Sequence, residues 1–171
     1  MSVPTRRMMF GLAAAIAVVA LTAVGCSNDN GGETGATAET GGATAATGGG
    51  STVDVTLQEF AVLPAQESAP AGDVTFDVTN KGPDDTHEFV VFKTDLAPDA
   101  LPTNKDGSVD EEGEGVELVD EIEDIAVGKT PSLTVSLDAG SYVLICNIVE
   151  DEGDETIVHY QQGMRTGFTV E

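Results

Sequence analysis

Three residue types that are scarce in this chain occur close together near its end. Cys146 is one of two cysteines, His159 one of two histidines and Met164 one of four methionines. A thiolate, an imidazole and a thioether together suit a soft or borderline metal ion, for which copper is the first candidate. The missing ligand should be the other histidine, His87. These four side chains are therefore the candidate metal ligands.

The elements that must position these residues are predicted to be β-strands. Several short segments alternate apolar and polar residues, and Gly, Pro, Asn and Asp separate them. The alternating apolar positions are Val53, Val55, Leu57, Val74, Phe76, Val78, Phe89, Val91, Leu133, Val135, Leu137, Phe168 and Val170. The pattern predicts an all-β fold, an antiparallel β-sandwich with Greek-key connections.

The alternation also indicates where two candidate ligands point. His87 shares a strand face with Phe89, and Cys146 shares one with Leu144. Which face of the second strand is inward stays open, because its other face is equally apolar. If both ligand faces point inward, a histidine starting one strand meets a cysteine ending an adjacent antiparallel strand. The site is then expected at one end of the sandwich.

The acidic segment 94–129 departs from this pattern. Val116, Val119 and Ile122 recur at a near-helical spacing, which predicts a short helix or an irregular excursion. The run Asp106–Glu112 resembles a calcium-binding loop, but Pro102 would then occupy the first ligand position. A solvated acidic face is the simpler interpretation of this region.

Residues 1–26 have the features of an export signal. Arg6 and Arg7 precede an apolar run, and small residues stand directly before Cys26, as in a bacterial lipobox. We expect Cys26 to be acylated and to anchor the chain on the outer side of the membrane, with an uncleaved anchor or simple secretion as alternatives. Residues 27–51 are rich in Gly, Thr and Ala and predict a flexible linker, which leaves 52–171 for the domain.

The charge of the chain limits its partners. The formal net charge is -23, which disfavours binding to nucleic acid or to anionic lipid headgroups. Such a surface favours cations or a protein with a basic docking surface. We expect a monomer that binds no nucleic acid.

Three segments of the chain resemble those of a known family. NKGPDDTHEFVVF, GSYVLICNI and HYQQGMRTGFTV are similar to the signatures of the cupredoxins, the plastocyanin and azurin family of type 1 blue copper proteins. The resemblance covers most of residues 53–171. It implies that His87, Cys146 and His159 are the trigonal ligands of one copper ion, with Met164 as the long axial ligand. Because the protein then fills all four positions, an electron carrier is expected rather than an enzyme.

Two departures from the family pattern concern the ligand loops. Twelve residues separate Cys146 from His159, where the family usually has a few. Apolar pairs flank an acidic tip within this insertion, which predicts a small hairpin that carries His159 back toward Cys146. A looser loop would instead expose the metal and favour copper exchange. Glu88 stands where the family often has Asn, so the usual link between the ligand loops is not predicted.

Each candidate ligand also has an ordinary interpretation. A histidine at a strand start is usually hydrogen-bonded or at the surface, and a lone cysteine is usually a small buried apolar residue. With Cys26 acylated, however, Cys146 has no disulfide partner, and an unpaired thiol in an exported protein requires an explanation. The leading prediction is a membrane-tethered electron carrier. The alternatives are a copper-delivery lipoprotein and a metal-free interaction domain.

Overall fold

The structure is a computed structural model that describes residues 50–153 and 155–171. Cys26, the predicted signal segment and nearly all of the predicted linker lie outside the described residues. Within the described part, no helix is long and apolar enough to cross a membrane. The elements in chain order are β1 (Ser51–Gln58), β2 (Ala61–Pro64), β3 (Ser68–Ala69), β4 (Gly72–Asn80), β5 (His87–Lys93), β6 (Glu117–Ile125), β7 (Ser132–Leu137), β8 (Gly140–Ile145), β9 (Val149–Glu152), β10 (Glu155–Val158), α1 (His159–Gln162) and β11 (Arg165–Val170).

The strands form two packed sheets, as the alternation predicts. One sheet has the order β2-β1-β4-β7 and the other the order β3-β11-β8-β5-β6, with β9 and β10 as a separate hairpin. In β1 the alternating Val53, Val55 and Leu57 are buried, whereas their neighbours are more exposed. The fold is therefore the predicted all-β sandwich.

Two strand pairs depart from the predicted antiparallel arrangement. β1 runs parallel to β4, with Val53 opposite Phe76, and the short β3 runs parallel to β11. The remaining ladders are antiparallel. Alternation within one strand fixes which side chains are buried but not which way its neighbour runs, so the sequence pattern could not distinguish these arrangements.

The strand β8 is apolar on both faces because both faces are covered. Tyr142, Leu144 and Cys146 belong to the main core cluster between the sheets. Val143 and Ile145 belong to a second cluster, which includes Leu101, Val109, Val158 and Tyr160. This second cluster lies under the irregular segment between β5 and β6, whose Leu101 N–H donates to the Tyr160 hydroxyl at 3.2 Å. The face that carries Cys146 is therefore the one between the sheets.

The short helix predicted around Val119 and Ile122 is absent, because these residues lie in the edge strand β6. β6 pairs with β5, and its register shifts twice, so that extra residues stand on β6 at each shift. Each extra residue stretches the usual two-residue period to three and brings Val119, Ile122 and Ile125 to the core side. The helix-like spacing thus arises from two β-bulges. The irregular excursion that was the other prediction is present between β5 and β6.

Candidate metal centre

The pairing of β5 with β8 brings the first two candidate ligands together. β5 begins at His87, and Cys146 directly follows the last residue of β8. The two strands are antiparallel, with Val90 opposite Ile145. Cys146 Sγ lies 3.9 Å from His87 Nδ1, and both residues are fully buried. This is the predicted meeting of a strand start and a strand end at one end of the sandwich.

The predicted hairpin positions the third candidate ligand, His159. β9 and β10 pair antiparallel, and α1 begins at His159 directly after β10. The His159 backbone N–H donates to the carbonyl of Ile148 at 2.9 Å, which closes the base of the hairpin. His159 Nδ1 then lies 3.3 Å from Cys146 Sγ and 3.2 Å from His87 Nδ1. The insertion therefore folds outward, and its two ends stay together. His159 is fully buried, so the looser, solvent-exposed arrangement is not observed.

Backbone hydrogen bonds hold Met164 beside the other candidate ligands. Its N–H donates to the carbonyl of His159 at 3.0 Å, and its carbonyl accepts the N–H of Cys146 at 3.1 Å. The side chain is fully buried and belongs to the same core cluster as Cys146. The structure therefore brings all four sequence-predicted residues to one end of the sandwich.

His159 forms a hydrogen bond through Nε2, the ring nitrogen that faces away from the candidate cluster. This bond determines which of its two ring nitrogens carries the hydrogen. His159 Nε2 lies 2.7 Å from Glu150 Oε1. A carboxylate can only accept, so Nε2 carries the hydrogen, and in the neutral ring Nδ1 keeps its lone pair. That lone pair points toward His87 and Cys146. For the other imidazole, burial, followed by the coulombic effect of the neighbouring His159 ring, lowers the pKa of His87 and so favours its neutral form.

The surroundings of Cys146 favour a thiol in the absence of a cation. Burial raises the pKa of Cys146 to about 12, although the Glu88 backbone N–H lies 3.4 Å from Sγ as a donor. A bound metal ion reverses this preference, since a coordinating thiol loses its proton. Without a cation Cys146 is therefore favoured as a buried thiol, and a bound metal ion would favour the thiolate.

Glu88 connects the segments of His87 and Cys146, which the resemblance to the family did not predict. Its carboxylate oxygen Oε1 accepts the backbone N–H of Asn147 at 2.7 Å and so joins the start of β5 to the residue after Cys146. The Asn147 side-chain oxygen in turn accepts the N–H of Val109 at 2.6 Å. Burial raises the pKa of Glu88 to about 7. The residue that departs from the family pattern thus still connects the two ligand segments.

Two further residues, which sequence reasoning missed, hold the loop before His87. The buried Asn80 amide donates to the carbonyls of Asp85 at 2.8 Å and Ile125 at 2.7 Å. Glu59 Oε1 accepts the backbone N–H of Asp85 at 2.7 Å, and the same oxygen lies 3.6 Å from His87 Nε2. The bond from Asn80 to Asp85 is local, but those from Asn80 to Ile125 and from Asp85 to Glu59 join residues 45 and 26 positions apart, which local sequence patterns do not indicate.

The three closest donors suit one shared ion. Metal bonds of about 2.0 Å to imidazole nitrogen and about 2.3 Å to thiolate sulfur allow two ligands of one ion to lie up to about 4 Å apart. The separations of 3.2, 3.3 and 3.9 Å among His87, Cys146 and His159 all satisfy this limit. Two imidazoles and a thiolate are the trigonal donors of a blue copper site, in which a thioether is the weak axial ligand.

A second group of donors shares one of these histidines. Asp85, Glu150 and His159 each place a ligand atom within 4.8 Å of the others. Among the described residues, this group and the group of His87, Cys146 and His159 are the two that are close enough to hold an ion. The acidic run Asp106–Glu112 belongs to neither, and Asp106 instead accepts hydrogen bonds from Ser108.

The two packed sheets form a β-sandwich like that of the cupredoxins, and the His-Cys-His cluster at their end has the donor set of a type 1 copper site. Solved structures similar to this chain include an auracyanin from the photosynthetic bacterium Roseiflexus castenholzii, at 18% identity and a TM-score of 0.48, over 71% of this chain and 97% of that one. Auracyanin A from Chloroflexus aurantiacus, described as a "blue" copper protein, has 17% identity and a TM-score of 0.45, over 72% and 100%.

Rusticyanin from Thiobacillus ferrooxidans has 24% identity and a TM-score of 0.43, over 73% of this chain and 79% of its own. No protein-family model and no curated protein sequence matches the chain. At these identities the assignment to the class rests on the strand arrangement and on the donor cluster.

Proposed function

We propose that this protein is a membrane-tethered, extracytoplasmic blue copper protein that passes single electrons between redox partners. His87, Cys146 and His159 are the trigonal ligands, and Met164 is the axial ligand. The observation that carries the proposal is the convergence of two imidazole nitrogens and one thiol sulfur, fully buried and within 3.9 Å of one another.

The chain's contribution to electron transfer is rigidity. Bound copper supplies a one-electron couple between Cu(II) and Cu(I), whose preferred geometries differ. The ends of β5 and β8 hold His87 and Cys146, and backbone hydrogen bonds tie Met164 to both His159 and Cys146. These constraints keep the donors in one arrangement for both oxidation states. Because all four donors come from the protein, the site offers no position to a substrate and suits a carrier better than an enzyme.

The membrane tether is the part of the proposal that the N-terminal sequence supports. A lipid on Cys26 would anchor the chain, and residues 27–51 would let the domain turn toward its partners. By the flexible-chain estimate, a linker of this length spans about 25 to 30 Å. The carrier would therefore work as a monomer close to the outer face of the membrane.

The partner is proposed to have a basic docking surface. The net charge of -23 favours encounter with a basic protein, since complementary charge raises the association rate without requiring tight binding. The tip of the β9–β10 hairpin is acidic, and its base ends at His159. A basic partner that docks on this hairpin would approach the metal centre through His159.

Copper titration of the purified full-length chain tests the proposal. One equivalent of Cu(II) is expected to produce an intense thiolate-to-copper absorption band, which disappears on reduction and returns on reoxidation. Fast self-exchange between the oxidised and reduced forms is the signature of a carrier. Absence of the band would leave the metal-free interaction domain, and ready transfer of copper to an acceptor would favour the copper-delivery alternative.

Substitution of the axial ligand is expected to change the potential but not the colour. In Met164→Leu, leucine fills the buried volume without a donor atom, so the three strong ligands and the blue band remain. Loss of the thioether destabilises Cu(II) more than Cu(I), because Cu(I) accepts lower coordination. The reduction potential should rise by about 59 mV or more, a tenfold change for a one-electron couple. Protein-film voltammetry measures the shift, and an unchanged potential would contradict axial ligation.

A further inference from the structure

The twelve-residue segment between Cys146 and His159 places a carboxylate at Nε2 of His159, the ring nitrogen away from the candidate cluster. Glu150 Oε1 lies 2.7 Å from His159 Nε2, within the short range of charge-assisted hydrogen bonds. The imidazole is fully buried, whereas 31% of the Glu150 side chain is exposed. The hydrogen bond therefore connects the interior of the site to the protein surface.

The hairpin fixes both members of this pair. Glu150 lies on β9 directly opposite Ile157 on β10, and His159 directly follows Val158, the last residue of β10. The His159 ring also forms an edge-to-face contact with Phe60, with ring centroids 5.2 Å apart and planes at 70°. The ring is thus in contact with an aromatic side chain and hydrogen-bonded to a carboxylate.

The imidazole of His87 also lies near a carboxylate, that of Glu59, but at a longer distance. His87 Nε2 lies 3.6 Å from Glu59 Oε1, which is too long for a hydrogen bond, and this buried nitrogen has no hydrogen-bond partner. Glu59 Oε1 is instead held by the backbone N–H groups of Asp84 and Asp85. Of the two histidines, His159 therefore receives the stronger influence of a carboxylate.

We infer that Glu150 is a positioning residue for the metal centre, and this inference rests on the proposed copper function. Its carboxylate holds His159 with Nδ1 free to bind and with the ring in one orientation. A hydrogen-bonded carboxylate also makes an imidazole a stronger donor and adds negative charge near the ion. Both effects favour Cu(II) over Cu(I). The insertion between Cys146 and His159 thus tunes the site through Glu150.

Three variants of the full-length chain test this role. Glu150→Gln removes the charge but keeps an acceptor oxygen, and Glu150→Ala removes both. Glu155→Gln makes the same charge change in the same hairpin at an exposed residue and serves as the matched control. The measurements are Cu(II) and Cu(I) affinities by competition with chelators, together with the reduction potential.

Glu150→Gln is expected to weaken Cu(II) binding about 10- to 100-fold, the usual effect of losing a partner of a metal-bound histidine. Cu(I) binding should weaken less, so the potential moves in the positive direction. Glu150→Ala should also shift the absorption band, because the ring can then turn. Glu155→Gln should change each affinity less than about twofold, as expected for an exposed charge.

A second measurement needs no copper. Nitrogen NMR of the metal-free chain should show His159 as the Nε2–H tautomer, and Glu150→Ala should give a mixture of both tautomers. A ratio of Cu(II) to Cu(I) affinities that is the same in Glu150→Gln and Glu155→Gln would overturn the inference. In that case the blue band of the unaltered chain would still support the proposed function, whereas its absence in that chain would contradict the function itself.

Discussion

Replacing Cys146 with serine is expected to abolish the thiolate-to-copper absorption band completely. The band requires a sulfur-to-copper charge transfer, and Cys146 is the one cysteine among the described residues. A serine hydroxyl at this buried position is a harder and much weaker donor than a thiolate. Copper affinity should therefore fall by more than the 10- to 100-fold that typically follows loss of an outer partner. Absorption spectroscopy and a chelator competition measure the two effects.

The other cysteine of the chain provides the matched control. Cys26→Ser removes a thiol that is not among the candidate ligands and that we predict to carry a lipid, so the band should keep its full intensity in the purified chain. The metal-free Cys146→Ser chain should remain folded, because serine is close to cysteine in size and Sγ forms no disulfide within the part of the chain that the structure describes. A blue band that persists in Cys146→Ser and disappears in Cys26→Ser would contradict the assignment of the site.

The sequence predicted the strands from local periodicity, and it placed two candidate ligands, His87 and Cys146, at strand ends in the same way. Alternation placed His87 on the same face as Phe89, and both side chains are fully buried in the structure. Phe89 belongs to the core between the sheets, and His87 lies at the start of β5. Antiparallel neighbours then join the start of one strand to the end of the next. The apolar pairs around the acidic tip predicted the β9–β10 hairpin in the same local way.

The remaining features depend on contacts between distant parts of the chain. Parallel pairing of β1 with β4 leaves no local sequence signal. The spacing of Val119 and Ile122 fits a helix as well as a strand with bulges. Only the pairing of β6 with β5 distinguishes the two. Glu150 stands in an acidic run in which each residue alone predicts a solvated side chain. Its contact with His159 became visible only with the fold of the hairpin.

The ring of Phe76 should be the largest single contributor to the packing of the two sheets. It lies on β4 and is fully buried. Its centroid is 5.3 Å from that of Phe89 and 5.5 Å from that of Phe168, both in the opposite sheet. Aromatic pairs at such distances contribute beyond the area that they bury. Phe76→Ala should therefore leave a cavity in the centre of the core.

Phe76→Ala is expected to lower the free energy of unfolding by about 3–5 kcal/mol, which is a large part of the 5–15 kcal/mol typical of a domain. Urea unfolding of the metal-free chain measures the loss without a contribution from copper binding. Leu63→Ala is the matched control, because Leu63 is apolar but 48% exposed, and it should change the free energy by no more than about 0.5 kcal/mol. If both variants unfolded at the same urea concentration, the two sheets would not be held together through this ring, and the position of the donors at their end would need another support.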